Sequence, residues 1–140
     1  MDKKAGKPVL RFRIDLSPTC SIGPGKIDLL EAIQSTGTLR AAARKLGYSY
    51  RRAWHLLNDL NANLRKPVTQ AKFGGHGGGG VTLTDAGEQL IQCYRSTGEK
   101  IEPLVISTLG AIAKKAALRG PKNKLAPRKR IARRIATMDH

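Results

Sequence analysis

The residues with the most chemistry to offer lie in one short run, Ser49-Tyr50-Arg51-Arg52-Ala53-Trp54-His55. An arginine guanidinium donates two parallel hydrogen bonds to O6 and N7 of guanine, a histidine donates or accepts, and a tyrosine reaches phosphate or stacks on a sugar. Ser49 adds a hydroxyl where a helix would start, and a helix N-terminus favours a phosphate. A second run, Gly74-Gly75-His76-Gly77-Gly78-Gly79-Gly80, lets backbone approach a sugar-phosphate surface closely, with Lys72 and His76 placed to touch phosphate or the minor groove. A third runs from Lys114 to Arg134 and includes Lys129 and Arg130. Clustered cations without acidic relief favour phosphate contact beyond what solubility requires. All three runs suit a polyanionic partner.

Catalytic chemistry is harder to assemble. No Ser-His-Asp arrangement, pair of carboxylates or metal-ligand cluster stands out, and a nuclease would need acidic metal ligands that the scattered Asp and Glu do not supply. The glycine run ends in Val81-Thr82-Leu83, whereas a phosphate-binding nucleotide loop ends in Lys with Ser or Thr and leads directly into a helix. Cys20 and Cys93 form a single pair without metal-ligand spacing, and both are expected as buried thiols. We therefore expect no enzyme, no cofactor and no metal.

The chain has 140 residues and a formal charge of +16, near the length of one domain. Residues 1 to 102 carry 16 basic and 9 acidic groups, net +7, while residues 103 to 140 carry 10 basic groups and only Asp139, net +9. Apolar residues make up 40% and aromatics 4%, enough for a core of Leu, Ile, Val and Ala. Neither a membrane span nor an apolar signal segment is visible, which predicts a cytoplasmic protein associated with the nucleoid. Gly120, Pro121 and Pro127 interrupt the tail, so a folded domain is expected over 9–118 and a basic flexible arm over 119–140.

The elements that must position the candidate residues follow from spacing. Leu10, Phe12, Ile14 and Leu16 alternate with charged residues, which predicts one leading strand with those four on its buried face. Pro24 opens a helix carrying Ile27, Leu30 and Ile33, stopped by Gly37. Thr38 caps a short helix from Leu39 to Leu46, ended by Gly47, and Ser49 caps another to about Leu64. Ala42, Ala43 and Leu46 can pack against Ala53, Leu57 and Leu60 at a steep crossing, a helix-turn-helix. That register leaves Tyr50, Arg51, Arg52 and His55 outside, where a recognition helix meets base edges, while the large apolar ring of Trp54 is expected as a core anchor wedged between the helices. Thr38 and Arg40, opening the preceding helix, join them as candidate contacts. Val68 to Phe73 and Val81 to Leu83 flank the glycine run as a β-hairpin, the wing of a winged helix, with Gly75, His76 and Gly77 at its tip. Thr84 then caps a long helix in which Pro103 should kink or break the run. Its apolar stripe, from Leu90, Ile91 and Tyr94 through Ile101, Leu104, Val105, Thr108, Leu109 and Ile112, outlasts what one small domain covers and predicts a subunit interface, with an ordinary core contact within the chain as the alternative for Leu90, Ile91 and Tyr94.

Ser49-Tyr50-Arg51-Arg52-Ala53-Trp54, Asn58-Asp59-Leu60-Asn61, the glycine run and Leu83-Thr84-Asp85-Ala86-Gly87-Glu88-Gln89-Leu90-Ile91 occur together and in order. Over roughly residues 9 to 110 the chain resembles the N-terminal DNA-binding domain of ModE-type, molybdate-responsive transcription regulators; the start of the last helix is shared more loosely with LysR-type regulators. The resemblance implies a mainly α fold with small β, a winged helix-turn-helix with a long C-terminal dimerisation helix. It also implies a homodimer on a palindromic site in double-stranded DNA. ModE regulators usually continue into small β-rich molybdate-binding domains, where this sequence has a basic arm, so molybdate binding by this chain is not expected. A non-sequence-specific architectural DNA-binding protein would use the same charge, and the basic tail suits it.

Overall fold

Short helices hold their ends only where backbone groups find partners, and here the sequence supplies them. The computed structural model describes residues 9–73 and 79–116. The elements are β1 (Ile14–Ser17), β2 (Cys20–Ile22), α1 (Pro24–Thr36), α2 (Leu39–Leu46), α3 (Tyr50–Asn63), β3 (Thr69–Lys72), β4 (Gly80–Leu83) and α4 (Asp85–Ala116). Pro24 starts α1, and Gly37 ends it in the left-handed conformation with its N–H on the Ile33 carbonyl. Thr38 caps α2 by accepting from the Ala41 N–H at 3.0 Å, and Ser49 caps α3 by accepting from the Arg52 N–H at 3.1 Å.

The chain divides between a unit of Arg11–Lys100 and a second unit, of which residues 9–10 and 101–116 are described. In the first, α1 is the spine: Ile27, Leu29, Leu30 and Ile33 are fully buried, joined by Leu60 of α3 and by Val68. Ala42 and Ala43 of α2 are buried in one cluster with Ala53 and Leu57 of α3, and the small alanine side chains let the two helices cross closely. Ile91 and Tyr94 complete the core from α4, whereas Leu90 is half-buried. Arg95 ties α4 to α1 through hydrogen bonds to Glu31 at 2.9 Å and Asp28 at 3.0 Å, and these carboxylates raise its guanidinium pKa still further.

The wing is an antiparallel pair, β3 with β4, in the register Thr69 to Leu83 through Lys72 to Gly80. Its base is held by side chains. Asn61 accepts from the Val68 N–H at 2.8 Å and donates to the Thr69 hydroxyl at 3.0 Å. Thr84 donates its hydroxyl to the Pro67 carbonyl at 2.6 Å while capping α4 through the Gly87 N–H at 3.1 Å.

Four expectations need correction. The leading strand starts at Ile14 and is half of a hairpin, Ile14 facing Ile22, with a bulge between Asp15 and Ser17. Ile14 and Leu16 are exposed, because β2 supplies the buried side chains Cys20 and Ile22; Phe12, ahead of the strand, stacks on Tyr94 at 4.2 Å. Trp54 lies outside the core, since Ala53, Leu57 and Leu60 fill the face of α3 turned inward and Trp54 sits about 100° round the helix from Ala53. Cys93 is exposed, being on the opposite side of α4 from buried Ile91 and Tyr94, while Cys20 is buried. Finally, of the two effects expected of Pro103 the break does not occur, since α4 continues through it. Pro103 and Glu99 are both exposed, so water can serve the Glu99 carbonyl left without a helical donor.

Candidate nucleic-acid interface

With Ala53, Leu57 and Leu60 turned inward, α3 points Arg51 and His55 most directly outward, with Tyr50 and Trp54 on one flank and Arg52 on the other. Among the described residues, no hydrogen bond or ion pair engages the side chains of Arg51 or His55. Arg52 is held differently: its guanidinium lies over the Tyr48 ring, 4.2 Å from the centroid. A guanidinium stacked on an aromatic face keeps its in-plane donors available and loses less freedom on making a contact. The two arginines, adjacent in sequence, are thus presented in different ways.

Thr38, Arg40 and Tyr50 come together. The Arg40 guanidinium stands 5.2 Å from the centre of the Tyr50 ring. These residues, with Leu39, Gly79, Gly80 and Val81, line an open cleft of about 310 Å³ between the starts of α2 and α3 and the returning strand of the wing. The cleft exists because β4 is pinned to the turn before α2, where the Val81 N–H donates to the Gly37 carbonyl at 2.9 Å. A Cβ on Gly80 would lie 2.6 Å from that same carbonyl oxygen, so only glycine permits the approach. Ser49 spends its acceptor on the α3 cap and keeps a hydroxyl proton to donate. Lys72 is exposed at the outer end of β3, opposite Gly80. Gly75, His76 and Gly77 at the wing tip, and Lys129 and Arg130 in the tail, lie outside the described residues.

Trp54 and Asn58, which are not among the contacts expected from the sequence, are exposed on the same side of α3 as Arg51. The signal was available in the inward register of Ala53, Leu57 and Leu60, which leaves neither residue facing the core. Asp59, also on α3, instead lies 3.7 Å from the buried Lys26 ammonium, which donates to the Ser21 carbonyl at 2.8 Å. That pair anchors α3 to α1 and the first hairpin.

The arrangement presents donors, acceptors and aromatic surface along one exposed helix beside a β-hairpin, and residues 25–88, which contain all of it, match the family described as bacterial regulatory helix-turn-helix protein, lysR family. The chain is 42% identical over 86 residues to the molybdenum-pterin-binding protein MopB of Rhodobacter capsulatus, covering 61% of this chain and 32% of that one. It is 44% identical over 71 residues to the transcriptional regulator ModE of Yersinia pestis, covering 51% of this chain and 27% of that one. To the DNA-binding transcriptional dual regulator ModE of Escherichia coli (strain K12) it is 38% identical over 71 residues, covering the same shares, 51% and 27%. The chain therefore spans about a third or less of the length of these relatives. Residues 25–88 are thus similar to that helix-turn-helix family, and the chain is similar to part of the ModE and Mop proteins. Among the described residues, no helix is long and apolar enough to cross a membrane.

Proposed function

We propose that this chain is a sequence-specific DNA-binding regulator of transcription that places α3 in the major groove of double-stranded DNA and its wing against the adjoining backbone. The observation that carries the reading is the exposed face of α3: Arg51 and His55 point outward unpaired among the described residues, beside the cleft of Arg40, Tyr50 and the wing. Arg51 is the base reader, donating to guanine; Arg52, Thr38, Arg40, Ser49 and Lys72 position the duplex through phosphates. The tip residues Gly75, His76 and Gly77 and the tail residues Lys129 and Arg130 extend that backbone contact. The role is binding rather than catalysis, in the cytoplasm at the nucleoid. The name of MopB attaches molybdenum-pterin binding to a longer protein, and no such binding is assigned to these residues.

The protein works as a homodimer through the second half of α4. Leu104 is 67% exposed and Leu109 42% exposed, an apolar pair on the segment that follows the first unit. A two-fold protein reads a two-fold site, with half-sites about 10 base pairs or a multiple apart. Selection of bound fragments from a randomised duplex library, followed by affinity measurement on selected and scrambled duplexes, tests the reading. An inverted repeat bound at least about 1000-fold more tightly than scrambled DNA is the expected result. Equal affinity for both would make this an architectural DNA-binding protein instead.

A further inference from the structure

Trp54 is the only tryptophan of the chain and is 47% exposed. Among the described residues its one aromatic neighbour is His55, with ring centres 5.3 Å apart at 80° in an edge-to-face arrangement. One turn earlier Tyr50 is exposed too, with Arg40 over its ring. The core gives no reason for an indole here, because Ala53, Leu57 and Leu60 already occupy the inward face of α3. Whatever covers Trp54 must also accept Arg51, three residues back on α3, and Arg40 over the neighbouring Tyr50 ring, which a polyanion does. Among the base edges of a major groove, the one apolar group presented is the C5-methyl of thymine. An indole held on the flank of a helix in that groove offers a flat apolar surface at the depth of the base edges.

We infer that Trp54 is a specificity-determining residue that packs on thymine methyl groups, complementing the donors of Arg51. The inference rests on α3 occupying the major groove. The test uses full-length protein and a duplex selected by it from a randomised library of about 20 base pairs, two turns of DNA. The duplex is made once with thymine and once with deoxyuridine in its place, which removes only the methyl groups. Binding is read by anisotropy of labelled DNA for the wild type, Trp54→Ala and Trp54→Phe.

The wild type loses about fourfold in affinity for each methyl contacted, the transfer value of one buried methyl. Trp54→Ala binds both forms alike; Trp54→Phe keeps part of the preference. The tryptophan emission of the wild type, which reports this residue alone, changes more on the thymine form. Equal wild-type affinity for both forms, or the same loss in Trp54→Ala as in the wild type, overturns the inference. If the wild type prefers the selected duplex to a scrambled one but ignores the methyl groups, only the role of Trp54 falls. Absence of any preference brings down the major-groove reading together with it.

Discussion

Replacing Gly87 by alanine should destabilise the fold, although alanine is the better helix former. Gly87 lies in the first turn of α4, and a Cβ there would fall far inside van der Waals contact of the Val68 carbonyl oxygen. That carbonyl cannot retreat cheaply: Val68 is fully buried, and the oxygen accepts the Thr84 N–H at 3.0 Å. Accommodating the methyl by shifting backbone costs about 1–3 kcal/mol, and weakening the Thr84 hydrogen bond costs about 1 kcal/mol more. Helix propensity returns up to about 1 kcal/mol. The net loss is then about 1–3 kcal/mol, which lowers the melting temperature of a folded unit this size by about 5–20 °C. Gly110→Ala, in the same helix, is the control: a Cβ there meets nothing within 4 Å. It should leave the melting temperature unchanged or raise it. Thermal melts followed by circular dichroism decide the matter. If Gly87→Ala is as stable as the wild type, or the two variants shift in the same direction, the packing of α4 on the start of the wing is wrong.

Arg51→Ala should weaken binding to the selected duplex by about 1–3 kcal/mol and binding to scrambled DNA much less; an equal loss on both would make Arg51 a phosphate contact. Sedimentation should show a dimer at tens of micromolar, the order of magnitude that detects an association of about −6 to −7 kcal/mol. Leu104→Asp with Leu109→Asp should give a monomer that still melts cooperatively, and a wild type that is already monomeric would refute the interface. Deleting residues 120–140, which hold Lys122, Lys124, Arg128, Lys129, Arg130, Arg133 and Arg134, should weaken binding to all duplexes alike. The slope of log affinity against log salt should fall by about 3 if three or four phosphate contacts are lost. An unchanged slope, or loss of sequence preference in a protein that remains folded, would show that the tail does something else.

The helix-turn-helix was legible because its signals are local. Gly37, Thr38, Gly47 and Ser49 end and start helices by chemistry confined to a few residues, and each is used in that way. The wing was legible from the two short strand-like runs, Val68 to Phe73 and Val81 to Leu83, that flank the glycine run. The first hairpin was not, because the alternation of Leu10, Phe12, Ile14 and Leu16 looks the same whether that face is covered or left in water; what decides it is β2, whose Cys20 and Ile22 reach the core first. Trp54 was misplaced by its size. A large apolar ring suggests a core position, but helix register outranks hydrophobicity when small residues have already filled the crossing. The motif Leu83-Thr84-Asp85-Ala86-Gly87 was recognisable in the sequence without its reason, which is a contact with Val68 that spacing along α4 cannot reveal.

Those close contacts also bear on how the interface works. The wing is tied to the rest of the unit at three points: at Gly37 through Val81, at Asn61 of α3 through Val68 and Thr69, and at α4 through Thr84. Asn61 and Arg51 belong to one helix, so the same rigid element that presents the proposed base reader also fixes the start of the wing. A hairpin hung on a flexible joint would have to be ordered when DNA arrives, and that ordering would be subtracted from affinity. Here the strands arrive already in register with α3, and the cleft that Arg40 and Tyr50 share with Gly80 has its width set by hydrogen bonds within the protein. The consequence is a separation of roles. Substitutions on the outward face of α3 should change which sequence is bound, while substitutions at Asn61, Gly80 or Thr84 should change affinity for every duplex by altering the angle between helix and wing.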